Sequence, residues 1–387
     1  GNAAWIASEI HARGQSVSRI SVVGDDLERL ESELAEAFGE HDLVLVGGGL
    51  GPTDDDLTAQ AAARATGVDL VRDEAAEAQV RAAFDRLGRE MNPVNLKQAD
   101  LPAGCRVLAN PVGTAPGFAI DTPKGRALFF PGVPFELEQM FETYIPDELP
   151  AEPPGRNTAV LKCFGIGESD VQAALAPLVA NEAGVRLAFR ASFPEIRVSI
   201  IGNERENLER LSTAARQALG RAVYATEDIS LPAALGRALR SAGLTIATAE
   251  SCTGGLVGHS LTEVPGSSAY YRGGVVAYDN DVKITALGIG RDLIEAHGAV
   301  SQEVASAMAS GVRQKLDSDL ALATSGIAGP DGGTAEKPVG LVFVAIAHKG
   351  GVDSRRHVFK GFSRSRVKQA SAWWAMRKAL DTVAEPR

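Results

Sequence analysis

The 387-residue sequence has no apolar run approaching the ~20 residues that span a bilayer, which argues against a helical membrane anchor. Its first ten residues lack the basic start and apolar core of a signal peptide. Cysteine is scarce: Cys105, Cys163 and Cys252 lie far apart and are odd in number. That argues against a disulfide framework and a cysteine-built zinc site, and it suits a reducing cytoplasm. Basic charge is also short, with 39 Lys and Arg against 49 Asp and Glu and a net charge of −10. Such a chain is poorly equipped to grip nucleic acid through its phosphates, so neither nucleic acid nor membrane is an expected partner. The one basic cluster, Arg355, Arg356, Lys360, Arg364, Arg366 and Lys368, reads either as a solvated face or as a source of one or two phosphate ligands. None of the six histidines (His11, His41, His259, His297, His348, His357) sits in an acyl-transfer motif, so a Ser-His-Asp triad has little support. Internal repeats and low-complexity tracts are absent.

What is present is an alternation of helix and strand patterns. The length suggests two to three domains at ~150 residues each. The chain opens, without an initiator Met, on the helical pattern NAAWIASEIHARG, with Trp5, Ile6 and Ile10 on one face, Asn2 as N-cap and Gly14 as stop. An α/β domain commonly begins with a strand, so an upstream strand is expected to be missing. In the first block, 1–145, residues 18–24 (SRISVVG) read as a strand, and Asp25 or Asp26 caps the helix that follows. Strands alternating with helices imply a largely parallel sheet covered on both faces. The stretch IPDELPAEPPGRN, 145–157, holds four prolines and reads as a linker. A small α+β block, 158–225, follows. The boundary TEDISLP, 226–232, leads into a last α/β block, 231–387.

Ligands bind beyond the carboxyl ends of strands in open α/β sheets. Three such loops in the last block carry chemistry. The first lies in TIATAESCTGGLVGHSLT, 245–262, where Ser251, Cys252 and Thr253 stand at a strand-to-helix turn. This loop alone admits a helix cap, a phosphate cradle or a nucleophile. Cys252 taken singly reads as a small buried hydrophobe. The second loop supplies Tyr278, Asp279, Asn280 and Lys283. A lysine serves as a base only if burial holds it neutral, and spacing alone leaves Lys283 facing solvent. The third, TSGIAGPDGGTAEKPVG, 324–340, is rich in glycine and hydroxyls.

Together TAESCTGGLVG, GSSAYYRGGVVAYDNDVK, HGAVS and SGIAGPDGG…KPVG, in that order over nearly all of 231–370, resemble the C-terminal domain of the CinA family. The resemblance implies a nicotinamide mononucleotide deamidase, a serine amidohydrolase working through Ser, Tyr and Lys with no cofactor. By motif position these are Ser251, Tyr278 and Lys283. Neutral Lys283, helped by Tyr278, would take the proton of Ser251, which attacks the carboxamide carbon. Backbone N–H groups opening the helix 253–262, with Thr253, Gly254 and Gly255, would hold the oxyanion. Ser325, Gly326 and Gly329 in the glycine loop would hold ribose or phosphate. Where the family shows Gly-Asp-Arg this chain reads GFSRSR, 361–366, leaving Arg364 or Arg366 for the phosphate.

The first block repeats the theme. In VGGGLGPTDDDLT, 46–58, Gly48, Gly49 and Gly51 turn the chain after a strand, ahead of Thr53 and Asp54–Asp56. Free N–H groups there can cradle phosphate, and carboxylates beside phosphate imply a hard cation. Equally, Thr53 with Asp56 fits a capping box, and acids suit the first turn of a helix. GGLGPTDDDLT, NPVGTAPGF and PGVPFELEQM resemble the N-terminal domain of CinA, whose fold is like that of molybdopterin-binding proteins. That implies ADP-ribose pyrophosphatase activity with Mg²⁺, Mn²⁺ or Co²⁺, Asp55 and Asp56 matching the paired acids. Asn110, Gly113 and Thr114 match the second loop, and Gly132 and Pro134 the third. The family places a strand and a glutamate-bearing loop ahead of the opening helix; here only GNAAW remains, so an exposed sheet edge and an impaired pyrophosphatase are expected. The expected whole is therefore α/β: a molybdopterin-binding-like domain, a small α+β middle domain and a deamidase domain. Its expected partners are nicotinamide mononucleotide, ADP-ribose and a second copy as homodimer. One rival is a non-catalytic regulatory protein, since family members are associated by name with competence and DNA damage; a second, resting on fold analogy at the N-terminal block only, is a molybdopterin-binding enzyme.

Overall fold

The structure is a computed structural model describing residues 1–13, 15–149 and 157–384. It divides into two compact units, 1–155 and 156–387. Gly14, expected as a helix stop, and 150–156 of the expected linker lie outside the described residues.

The first unit runs α1 (Asn2–Ala12), α2 (Leu27–Glu40), β1 (Leu43–Gly47), α3 (Thr58–Thr66), β2 (Leu70–Arg72), α4 (Glu74–Arg86), a 3₁₀ segment Pro93–Ala99, β3 (Asp100–Pro102), β4 (Arg106–Leu108), β5 (Gly117–Asp121), β6 (Arg126–Phe130) and α5 (Pro134–Glu148). The main sheet has the order β1-β6-β5-β4. Apolar alternation explains its two cores. Val44 and Val46 face a cluster with Phe38, Ala61 and Phe129, whereas Leu43 and Leu45 face one with Leu128, Leu137 and Phe141. Trp5, Ile6 and Ile10 of α1 join the second cluster, as their spacing requires. Asp26 caps α2, accepting from the Arg29 amide at 3.0 Å.

Four expectations change here. Only β1 and β6 are parallel; the other pairs are antiparallel, because the turn between Asp121 and Arg126 closes a hairpin. Residues 18–24 form no strand: no ladder pairs them, and Val22 is 90% exposed. Asn2 lies inside α1, its amide donating to the Gly132 carbonyl at 2.8 Å, and Gly1 holds the N-cap position. Residues 145–148 belong to α5, which accommodates Pro146 in its last turn.

The second unit begins with β7 (Asn157–Phe164), α6 (Glu168–Val179), β8 (Arg186–Ser192), β9 (Glu195–Gly202), α7 (Arg205–Leu219) and β10 (Val223–Ala225). These form an antiparallel sheet, order β10-β7-β9-β8, with both helices on one core. Next come α8 (Leu231–Ala242), β11 (Ile246–Glu250), α9 (Leu256–Thr262), β12 (Tyr271–Val276), α10 (Asn280–Leu287), α11 (Arg291–His297), α12 (Gln302–Lys315), β13 (Leu320–Gly326), β14 (Leu341–His348), β15 (Gly351–Val358) and α13 (Arg364–Ala384). Ser230 caps α8, Pro232 sits in its first turn and the left-handed Gly243 ends it.

The second sheet has the order β12-β11-β13-β14-β15. Here too the sheet is mixed: β12, β11 and β13 are parallel, and β14 and β15 return antiparallel through the short His348–Gly351 turn. α8, α9 and α13 cover one face, while α12 and parts of α10 and α11 cover the other. The middle block shares this unit. Phe164 meets Trp374 of α13 with ring centroids 4.9 Å apart, and Gln369 donates to the Phe193 carbonyl at 3.0 Å. Among the described residues no helix is long and apolar enough to cross a membrane.

Candidate functional site

The parallel strands set the geometry of the larger site. Glu250 pairs with Val276 on one side and Thr324 on the other. Ser251, Ala277 and Ser325 therefore stand level at one end of three neighbouring strands, whose spacing is ~4.8 Å. The Ser251 amide donates to the Thr324 carbonyl at 2.9 Å, and the Ala277 amide to the Glu250 carbonyl at 2.8 Å. All three chemistry-bearing loops leave from this end.

In the first loop the chain turns sharply through Gly254 and Gly255, whose φ of 63° and 96° only glycine adopts readily. Ser251 is 8% exposed. Glu250, treated in the sequence only as the end of the strand, organises the turn. Its carboxylate is buried and accepts four hydrogen bonds: from the Thr253 hydroxyl at 2.7 Å, the amides of Gly255 and Val257 at 3.0 Å, and the Gly258 amide at 2.8 Å. This narrows the expected oxyanion hole, since the amides of Gly255, Val257 and Gly258 are held by a carboxylate and that of Gly254 by the Ser251 carbonyl. Thr253 is corrected with them. Its side chain is fully buried and bridges Glu250 and the Thr324 hydroxyl, so it faces inward and not toward a substrate. An acid just ahead of a Gly-Gly helix start was the available signal for Glu250. Cys252 is buried, which pushes its thiol up to about 12.

In the second loop Lys283 is 1% exposed, which corrects the solvent-facing position that spacing alone gave it. Packing of α10 against α12 turns it inward. Its ammonium donates to two neutral carbonyls, Tyr278 at 3.0 Å and Asp279 at 3.5 Å. Burial lowers its pKa from the ordinary lysine value, with the charges of Asp279 and Cys252 opposing. Tyr278 is 61% exposed, and its phenol oxygen accepts from Arg364 at 3.0 Å.

The same arginine reaches the third loop, donating to the Gly329 carbonyl at 2.6 Å. Arg364 thus ties the second and third loops to the start of α13. Arg366 is elsewhere: its guanidinium lies 4.9 Å over the Phe193 ring. Ser325 is fully buried with its hydroxyl donated to the Ala299 carbonyl at 2.6 Å, so the expected substrate contact is spent inside the fold. Gly326 closes β13, where an added Cβ would fall 2.6 Å from Val342.

The smaller site lies in the first unit. Gly48 and Gly49 are left-handed, and a Cβ on Gly49 would clash with the Thr58 hydroxyl at 2.1 Å. The backbone of Gly132 closes on that of Gly48, bringing the first and third loops together. Asn110 shapes the second loop, accepting from the Gly113 amide at 2.9 Å and donating to Glu136 at 2.8 Å. The 3₁₀ segment connects two loops: Lys97 donates to the Thr53 carbonyl, and Gln98 to the Thr114 hydroxyl at 3.3 Å. α3 starts at Thr58, so Thr53 and Asp56 do not cap it. They close a turn ahead of it, the Thr53 amide and hydroxyl donating to Asp56 at 2.9 and 2.5 Å; a Cβ on Gly51 would meet that carboxylate at 2.4 Å. Asp55 is exposed. Among the described residues no three His, Cys, Asp or Glu side chains gather as a metal cage. The acids here could hold a cation only jointly with a ligand's phosphates.

These features define a class: a molybdopterin-binding-like domain, a small antiparallel module and an α/β domain with a serine at the end of one parallel strand and a buried lysine in the helix after its neighbour. Residues 1–151 match the family model described as a probable molybdopterin binding domain, 158–225 the damage-inducible protein CinA KH domain, and 228–383 the CinA C-terminal domain. The chain is 41% identical to a CinA-like protein of Geobacter metallireducens over 97% of its own length and 93% of that protein's. A CinA-like protein of Geobacter sulfurreducens is 42% identical over the same shares. Among solved structures, the competence/damage inducible protein CihA of Agrobacterium tumefaciens is 37% identical, covering 42% of this chain and all of that one, at a TM-score of 0.39. The chain belongs to the CinA family.

Proposed function

We propose that the C-terminal domain is a serine amidohydrolase that deamidates nicotinamide mononucleotide to nicotinate mononucleotide and ammonia. The supporting observation is the dry lysine: Lys283, 1% exposed, bonded only to carbonyls and lowered in pKa, in α10, which follows the strand paired with that of Ser251. Neutral Lys283 takes the Ser251 proton as the serine oxygen bonds to the carboxamide carbon. The C–N bond then breaks, and ammonia leaves with the proton Lys283 returns. Water, deprotonated by the same amine, cleaves the acyl ester and frees Ser251. The exposed Tyr278, whose phenol oxygen accepts from Arg364 at 3.0 Å, would assist this transfer, as the family resemblance implies.

For the N-terminal domain we propose phosphate binding at the mouth of its three loops, with ADP-ribose hydrolysis as the activity implied by the family resemblance. The convergence of Gly48 and Gly132, with Asn110 ordering the loop between, supports this. A divalent cation would be held by Asp55, with Asp56 if it releases Thr53, and would supply charge neutralisation at the pyrophosphate.

The test supplies the full chain with nicotinamide mononucleotide and, separately, with ADP-ribose plus Mg²⁺, Mn²⁺ or Co²⁺. Ammonia release that Ser251→Ala abolishes supports the amidohydrolase. AMP release that Asp55→Ala abolishes supports the pyrophosphatase. No product in either assay overturns both and leaves the regulatory reading.

A further inference from the structure

The second sheet ends on β15, and that edge is open. β15 pairs with β14 alone, in an unbroken register from Leu341 opposite Val358 to His348 opposite Gly351. No proline or bulge interrupts it, and Gly351, Val352, Asp353, Arg355 and Arg356 are exposed. The opposite edge of the sheet is different: the register of β12 shifts beside Ile246 and Ala247 of β11. A bulged edge bends away from new partners, whereas a long regular one is a template for pairing.

The turn fixes which backbone groups of β15 face outward. Lys349 and Gly350 form a two-residue turn, so His348 and Gly351 close it as a hydrogen-bonded pair. Bonded and non-bonded pairs then alternate along the ladder. Beyond the strand, the Phe359 amide donates to the Gly340 carbonyl at 2.9 Å, in step with that alternation. Gly351, Asp353, Arg355 and His357 therefore turn their backbone groups to β14. Those of Val352, Ser354, Arg356 and Val358 point to the free edge.

Charge then selects the partner and the register. Antiparallel pairing of β15 with a second β15 about Ser354 sets Ser354 against Ser354 and Val352 against Arg356, all residues with outward groups. It also sets Asp353 against Arg355, twice by symmetry. A twofold axis moved to Asp353 would oppose two carboxylates, and one moved to Arg355 two guanidiniums. The charges that blunt this edge in both neighbouring registers thus attract in one. Lys378 of α13 donates to Asp353 at 3.3 Å and so places that carboxylate on the α13 side of the sheet. Arg355, two residues on, lies on the same side, and it has no carboxylate partner among the described residues.

We propose that β15 is the contact between two copies of this chain, paired antiparallel about Ser354 so that their sheets become one. This depends on neither proposed activity. It gives the expected homodimer a named surface in the last block.

The experiment measures the dissociation constant of the full chain by analytical ultracentrifugation over a concentration series. The native chain should dimerise. Ser354→Pro removes the outward amide of the central pair from both copies and no bond to β14, and should raise Kd roughly 10-fold or more. Asp353→Arg and Arg355→Asp each set like charges together twice, and each should raise Kd by roughly the same factor. An equimolar mixture of these two variants restores opposite charges at every facing pair, so it should form a heterodimer of near-native affinity. Misfolding of either variant would give no such rescue. A native chain that stays monomeric throughout the series overturns the proposal. So does a native dimer whose Kd the charge variants leave unchanged, or a mixture that binds no tighter than its components.

Discussion

The two units solve the same local problem in opposite ways. Each ends a strand in a glycine-rich turn with acid beside it. In the second unit the acid is drawn inside: Glu250 takes four donors beside the strand-end Ser251, and a dry lysine lies in α10 after the neighbouring strand. In the first unit the acids stay at the surface, where Asp56 closes a turn with Thr53 and Asp55 is exposed. A buried amine surrounded by carbonyls is suited to proton transfer. Exposed carboxylates beside an N–H cradle are suited to a cation bridging to phosphate. The two turns therefore differ in which charged group is desolvated, and the two proposed chemistries follow that difference.

The largest effects should fall on the reacting groups and should not cross between units. Ser251→Ala is expected to lower ammonia release by roughly 10⁴-fold or more, with AMP release unchanged, and Asp55→Ala to do the reverse. Loss of both activities in either variant would break the comparison. Next comes Lys283→Met, expected to cost ~10²- to 10⁴-fold in kcat. The sign of the pH dependence follows from the lowered pKa. The protonated amine is inactive, so the rate should climb with pH and level off once the amine is neutral. Burial should place that limb below the ordinary lysine pKa of about 10.4. Lys283→Met should lack the limb altogether. A native profile flat from neutral to alkaline pH, with normal turnover, would remove lysine as the base.

A smaller effect, on stability first, should follow from Glu250→Gln. The amide nitrogen would face N–H groups that now meet a carboxylate, at a cost of about 3 kcal/mol. Urea unfolding should detect it, and kcat should drop with the loosened Ser251 turn. An unfolding midpoint equal to the native one would mean that the carboxylate is not what holds the turn.

Much of this was legible in the sequence, because punctuation is local. Gly254 and Gly255 mark the end of β11 and the start of α9 without help from the rest of the chain, and so do Gly48 and Gly49 after β1. The alternation of strand and helix likewise gave the α/β character of the first and last blocks, while α4 and the short β2 and β3 went unmarked. What stayed hidden depends on distant partners. Lys283 looks surface-bound until α12 is packed against α10. SRISVVG has the composition of a strand and no neighbour to pair with. Thr253 and Ser325 look like ligand contacts until Thr324 and the Ala299 carbonyl are placed beside them. Hairpin returns made both sheets mixed, because a short turn overrides the handed crossover that helix-strand alternation suggests.

The finest distinction concerns two arginines two residues apart. Sequence left Arg364 and Arg366 equivalent; in the fold they serve different neighbours. Arg364 spans Tyr278 and Gly329, whereas Arg366 lies over Phe193 at the β8–β9 tip, a cation–π contact of ~0.5–1 kcal/mol at an exposed site. Arg366→Ala should therefore lower the melting temperature by only a few degrees and leave KM for nicotinamide mononucleotide alone. Arg364→Ala should raise that KM, since it removes the tie between Tyr278 and the Gly329 loop. Equal rises in KM for the two variants would show that the β8–β9 tip, through Phe193, governs the first turn of α13 and with it the substrate end of the site. The middle domain would then be coupled to turnover, and the division of labour between the arginines would fall.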